Sequence, residues 1–276
     1  MRDGAILEGS ERWAEPNLLG VDVGFSKTGK STGVAWRVAG QIGGCRTGSE
    51  WSARSATLPV GVTFDLAALD APLVPESPAN LASRSCEAVF YRGAFAKRCR
   101  PGMSHFGHGL AFRHAGSIAA KQFSNVVSNE HGLKEAAVAE AAIVEAFPSL
   151  FMAVLIPDEV LLSLSGKRRG KSDRLYEACV AMSTFECLVT ELAWPVSPTV
   201  ACLSAERDHD VRAAYICLLT AGFAYAGTAT IVGDHLGGWF WLPPMKLWAE
   251  WAKAALCETL LATRNKGHGH VALAAA

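Results

Sequence analysis

Four acids in this sequence stand where strand-like segments end or a helix-like segment begins. Asp22 follows Leu18-Leu19-Gly20-Val21, Asp70 follows Leu66-Ala67-Ala68-Leu69, Glu145 follows Ile143-Val144, and Asp210 falls in the first turn of a long apolar helix. Carboxylates brought together repel, and they stay ionised together only if cations neutralise them. Mg²⁺ or Mn²⁺ suit such hard oxygen ligands and keep water or phosphate in their remaining positions. A pair of such ions can activate a water and stabilise the leaving oxygen of a phosphodiester. Asp22, Asp70, Glu145 and Asp210 are therefore the candidate catalytic residues, and no serine, histidine or cysteine nucleophile motif competes with them.

The stretch around Asp22 carries a second chemistry. Gly24-Phe25-Ser26-Lys27-Thr28-Gly29-Lys30-Ser31 satisfies the phosphate-cradling pattern G-x-x-x-x-G-K-[ST] after an apolar strand. A phosphate loop needs a helix next, because the helix N-terminus directs N–H groups at the phosphates. Thr32-Gly33-Val34-Ala35-Trp36-Arg37-Val38 is a poor helix start, since Gly33 is costly in a first turn and Val and Trp fit a pleated surface better. The expectation is a β-hairpin that carries Asp22, with Lys27 and Lys30 on its turn able to touch a phosphate backbone.

The elements that must position these residues follow from the remaining pattern. A loose leader covers residues 1–16. After the hairpin, Arg46 to Pro59 reads as a short helix or crossover. Val62 to Leu73 is an apolar run stopped by Pro72, a buried strand that delivers Asp70 to its C-terminal edge, where open α/β sheets place ligands. Residues 75–134 read as an irregular insertion that could serve as lid, dimer surface or binding wall, with a helix from Arg84 to Gly93. Its His105, His108 and His114 lack partners at ligand spacing and are expected in loops. A third strand ends at Glu145 and Pro148. The basic loop Gly166-Lys167-Arg168-Arg169-Gly170-Lys171 precedes Ser172, a candidate cap for a helix from Asp173 to about Ala193. Beside clustered carboxylates, Lys171 becomes a phosphate contact. A helix from about Asp210 to Ala226, the strand Ala229 to Val232 and an aromatic hairpin strand close the domain at residue 245. Residues 246–276 form a C-terminal helix and tail.

Composition narrows the class. The chain has 276 residues, half of them apolar, with 26 basic and 26 acidic side chains. That balance excludes a globally basic coat for nucleic acid and leaves only local patches. The 8 cysteines contain no C-x-x-C pair, so neither a zinc site nor a disulfide framework is expected. No apolar signal-peptide core opens the sequence, which points to a cytoplasmic protein. Ala213 to Val232 carries no charge and has the length of a membrane span, but a break at Gly222 to Gly227 favours a buried helix and strand, with no membrane partner.

Several motifs recur in a familiar order: Gly20-Val21-Asp22-Val23-Gly24 with Thr32-Gly33-Val34-Ala35, Leu69-Asp70-Ala71-Pro72-Leu73, Arg84 with Cys86-Glu87, Val144-Glu145-Ala146-Phe147-Pro148-Ser149, Lys171-Ser172-Asp173, His209-Asp210, and Val232-Gly233-Asp234 with Gly238-Trp239. In this order they resemble the predicted RNase H-like nucleases catalogued as domain of unknown function 429. The resemblance implies an α/β, ribonuclease H-like fold: a five-stranded mixed sheet with its first three strands antiparallel and helices on both faces. It implies divalent metal on Asp22, Asp70 and Asp210, with Glu145 in a supporting or structural position and Arg84 joining Lys27, Lys30 and Lys171 as substrate contacts. The family's second helix acid falls at Ala213 here, so one metal position is weakened or relies on Asp208.

The leading expectation is a Mg²⁺- or Mn²⁺-dependent nuclease acting on DNA or RNA, with a second copy of the chain as a candidate partner. A nucleotide-binding protein using Gly24 to Ser31, and a non-catalytic binding module on the same fold, stand as alternatives.

Overall fold

A computed structural model describes residues 15–26, 29–74, 84–128, 130, 133, 137, 141–164, 170–264 and 272–275. Most of the expected leader, Lys27, residues 75–83, most of the Glu135 to Ala142 segment and the basic run 165–169 lie outside the described residues.

β1 (Leu18–Asp22), β2 (Thr32–Val38) and β3 (Gln41–Thr47) form an antiparallel meander. α1 (Trp51–Ser55) leads to β4 (Leu66–Asp70), which pairs parallel with β1. α2 (Ser85–Phe90), α3 (Gly93–Arg98) and α4 (Gly107–Phe123) precede β5 (Ile143–Ala146), parallel to β4. Then come α5 (Pro148–Ala153), α6 (Asp158–Ser163), α7 (Lys171–Ala181), α8 (Thr184–Glu191), α9 (Val196–Ala205) and α10 (His209–Tyr225). β6 (Thr230–Asp234) and β7 (Gly238–Leu242) make a hairpin whose second strand runs parallel to β5. α11 (Glu250–Arg264) and β8 (Ala272–Ala275) complete the chain, with β8 antiparallel to β6. The resulting sheet has the order β3-β2-β1-β4-β5-β7-β6-β8, so it is α/β and mixed, and wider than the five strands expected.

The central strands are continuous apolar runs because they are covered on both faces. α10 covers one face, and it is buried on nearly every side from Val211 to Ala224, as a helix apolar all round must be. Two glycines let it approach closely. A Cβ on Gly20 would lie 2.3 Å from the Ala214 carbonyl oxygen, and one on Gly33 would lie 1.9 Å from that of Asp210. Asp208 caps α10, its Oδ1 accepting from the Asp210 and Val211 N–H groups at 3.0 and 3.3 Å. On the other face, Arg54 of α1 donates to the Gly24 carbonyl (2.9 Å) and to Gln122 of α4 (2.8 Å), which ties both helices to the end of β1.

Several local expectations change. A strand, not a helix, follows Ser31, which removes the geometry a phosphate loop requires. The irregular insertion contains α2, α3 and the 17-residue α4, which takes in His108 and His114. The helix expected from Asp173 to Ala193 breaks into α7 and α8 at Ser183, whose φ is 55°. Gly170, with φ 68°, occupies the cap position expected for Ser172. The uncharged stretch from Ala213 to Val232 is divided between α10 and β6. Among the described residues no helix is long and apolar enough to cross a membrane.

Candidate active site

One row of residues runs across four strands: Arg46 on β3 faces Gly33 on β2, Gly33 faces Asp22 on β1, and Asp22 faces Asp70 on β4. Residues in register present their side chains on the same face, and neighbouring strands lie about 4.8 Å apart. Asp22 and Asp70 are therefore side by side at the C-terminal edge. Gly33 has no side chain, and the first turn of α10 fills the space above it. This brings Asp210 to the row from a segment far away in sequence. Arg46 closes the row, its Nε 2.6 Å from Asp210 Oδ2 and its Nη1 3.5 Å from Asp208 Oδ2. The Nε–H is not aimed at Asp210 Oδ2, which is buried and receives no hydrogen bond.

The electrostatics follow from this crowding. Burial holds the Asp22 carboxyl well above the usual range, with Asp70, Asp210 and Asp208 adding to the effect and Arg46 opposing it. Asp70 is pushed up to about 7, by burial first and then by Glu145. Near neutral pH the pair retains proton density that a second positive charge could displace.

Glu145 is placed differently. Its register partner on β4 is Leu69, one residue before Asp70, so strand alternation turns it to the opposite face. There Arg84 grips it bidentately, Nη1 to Oε1 at 2.9 Å and Nη2 to Oε2 at 2.5 Å, and the Leu73 N–H donates to Oε2 at 2.8 Å. Burial pushes Glu145 up to about 7 against these bonds. Its geometry is that of a buried clamp joining β5 to the loop after Asp70, on the sheet face away from the Asp22–Asp70 row. Arg84 is 1% exposed and spends its Nε on the Gly237 carbonyl at 2.5 Å. A substrate cannot reach it without breaking that clamp.

Of the candidate substrate lysines, Lys30 is exposed just before β2, while Lys171 starts α7 half-buried. Lys171 acts on Cys99, whose thiol burial pushes up to about 12 and Lys171 draws back down. Arg46 and Arg54 went unrecognised as parts of the site. Their only sequence signal is their position in the segment that follows the hairpin acid. Every cysteine is free.

Asp22 and Asp70 are a hard two-carboxylate donor set, and Mg²⁺ is commonly held by one or two carboxylates with water and phosphate completing its shell. They fit such an ion as a pair. Among the described residues no group of three or more His, Cys, Asp or Glu side chains stands close enough to hold a metal ion. Beyond Asp70 a small cleft of about 100 Å³ opens beneath α4. Comparison of the chain with protein-family models, curated proteins and solved structures gave no match.

Proposed function

We propose that the chain is a ribonuclease H-like, Mg²⁺- or Mn²⁺-dependent phosphodiesterase that hydrolyses nucleic acid. The observation that carries this reading is the register pairing of Asp22 with Asp70, with Asp210 delivered above Gly33. The order β3-β2-β1-β4-β5, antiparallel over its first three strands and parallel after them, supports the fold half of the reading.

Asp22 and Asp70 would hold the cation, which supplies charge neutralisation and Lewis acidity at a phosphate oxygen. Asp70, whose affinity for protons is raised to about 7, would give up its proton near neutral pH to join Asp22 in holding the cation. Arg46 holds Asp210 in place and offsets the charge of Asp22. Arg54 fixes the turn after Asp22 through the Gly24 carbonyl and Thr32 Oγ1 at 2.9 and 3.2 Å. The test is cleavage of labelled DNA and RNA oligonucleotides with each metal: activity that survives Asp22→Asn combined with Asp70→Asn refutes the reading.

The ion pair between Arg46 and Asp210 and the absence of an acid at Ala213 favour one second reading, a binding module that uses Arg46 in place of a metal. Calorimetric titration with Mn²⁺ separates the two, because the module takes up no metal.

A further inference from the structure

The cleft beside Asp70 has a composition the acid row does not explain. Its lining is mostly apolar and includes Phe112 of α4, Phe147, Phe240 and Met103. Phe147 and Phe240 pack with centroids 5.4 Å apart. α4 is pinned over the loop after Asp70, since a Cβ on Gly116 would come within 2.7 Å of the Ala71 side chain. α4 is thus packed closely against the loop after Asp70 and contributes Phe112 and Gly109 to the cleft.

One polar group of the lining is unsatisfied. Ser104 is 2% exposed and lines the cleft, and its hydroxyl has no hydrogen-bond partner. Glu87, also 2% exposed and on the lining, makes two long contacts of 3.4 Å among the described residues, to Arg84 Nη1 and to the Ser104 N–H. Arg84 makes its shorter bonds to Glu145. Glu87 is therefore weakly held for a buried carboxylate and keeps capacity to accept from a closer donor. Asp70 itself is among the residues that line the cleft.

We propose that this cleft receives a nucleobase next to the scissile phosphodiester, the ring held by Phe112 and the Phe147–Phe240 pair and its N–H edge meeting Glu87 and the Ser104 hydroxyl. The ligand class follows from the lining: aromatic side chains suit a heteroaromatic ring, and the acceptors among them require a ring with N–H donors. A base inside the cleft cannot remain stacked in a duplex, so the substrate is single-stranded or locally unpaired. This inference rests on the nuclease reading for the position of the phosphodiester, but the binding of the base can be tested without it.

The test is equilibrium binding to the full chain, with EDTA present, of the four common ribonucleoside 5′-monophosphates and of ribose 5-phosphate, which lacks the base. At least one mononucleotide is expected to bind roughly tenfold tighter than ribose 5-phosphate, and Phe112→Ala to remove most of that advantage. Ser104→Ala is expected to weaken base binding severalfold while leaving the thermal midpoint unchanged or higher, since it deletes a buried unpartnered hydroxyl. Equal affinity for ribose 5-phosphate and every mononucleotide, or an advantage untouched by both substitutions, overturns the proposal. Oligonucleotides with single abasic positions separate it from the nuclease reading. Cleavage indifferent to every abasic position overturns the base pocket alone. Serine-dependent base binding with no cleavage of any oligonucleotide supports the pocket and overturns the nuclease.

Discussion

Asp22 and Asp70 stand at the same level of two parallel strands, in direct register. Neither carboxyl can ionise there as readily as in water, and Asp70 is pushed up to about 7. A carboxyl whose affinity for protons is higher in the folded state favours folding while protonated. That contribution is full below the unfolded value of about 3.9 and is lost as the pH rises to about 7. Asp70→Asn should therefore be more stable than the natural chain by up to about 4 kcal/mol at pH 8, with the difference vanishing below about pH 4. Urea denaturation at a series of pH values measures this, and a difference independent of pH contradicts it.

The same carboxyls must lose their protons to bind a cation. Affinity for Mn²⁺ should climb with pH through about 7, where Asp70 is half ionised, and level off only once Asp22, also held above the usual carboxylate range, has lost its proton. Calorimetry across that range gives the profile, and a flat one would detach the metal from Asp70.

Arg46 competes for the negative charge. Its ion pair with Asp210, at 2.6 Å, is half-exposed on the arginine side, and such pairs contribute about 0.2–1 kcal/mol. Arg46→Ala should free Asp210 and tighten Mn²⁺ binding by about two- to fivefold. Weaker binding in this variant would show that Arg46 supports the metal site instead of opposing it.

Glu145 and Arg84 are expected to behave as structure. Removing one partner of a buried pair leaves the other uncompensated, so Glu145→Ala should cost about 3–5 kcal/mol. Arg84→Lys should lose much of the clamp as well, because an ammonium cannot make the bidentate contact. Thermal denaturation of both variants decides the matter, and a stable Glu145→Ala chain would return Glu145 to the candidate catalytic acids.

Two glycines distinguish the hairpin from a phosphate loop. Gly33→Ala would drive a methyl group against the Asp210 carbonyl, 1.9 Å away, whereas a Cβ on Gly29 meets nothing within 4 Å. The first substitution should cost about 1–3 kcal/mol and lower activity by displacing α10. Gly29→Ala should leave stability and cleavage unchanged, and loss of nucleotide binding in that variant would revive the phosphate loop.

What could be read from the residues alone was whatever rests on local pattern. The runs ending in Asp22, Asp70 and Glu145 announced β1, β4 and β5, and the valines and tryptophan after Ser31 announced β2 against a phosphate-loop match. Strand alternation decides that Asp70 and Glu145 face opposite ways, but it acts only once register is known, and register is a relation between strands. Arg46 escaped notice for the same reason: nothing local marks a side chain whose partner is reached across Gly33. The insertion looked irregular because α4 opens with Gly107-His108-Gly109 and includes Gly116, residues chosen for close packing on Met103 and Ala71 at the expense of helix propensity.

The most direct test of the acid pair is a single-turnover assay on labelled single-stranded oligonucleotides with Mn²⁺, comparing the natural chain with the Asp22→Asn, Asp70→Asn double variant, both checked to be folded. The pairing predicts cleavage by the natural chain and its loss in the double variant. Equal cleavage by both proteins would contradict it.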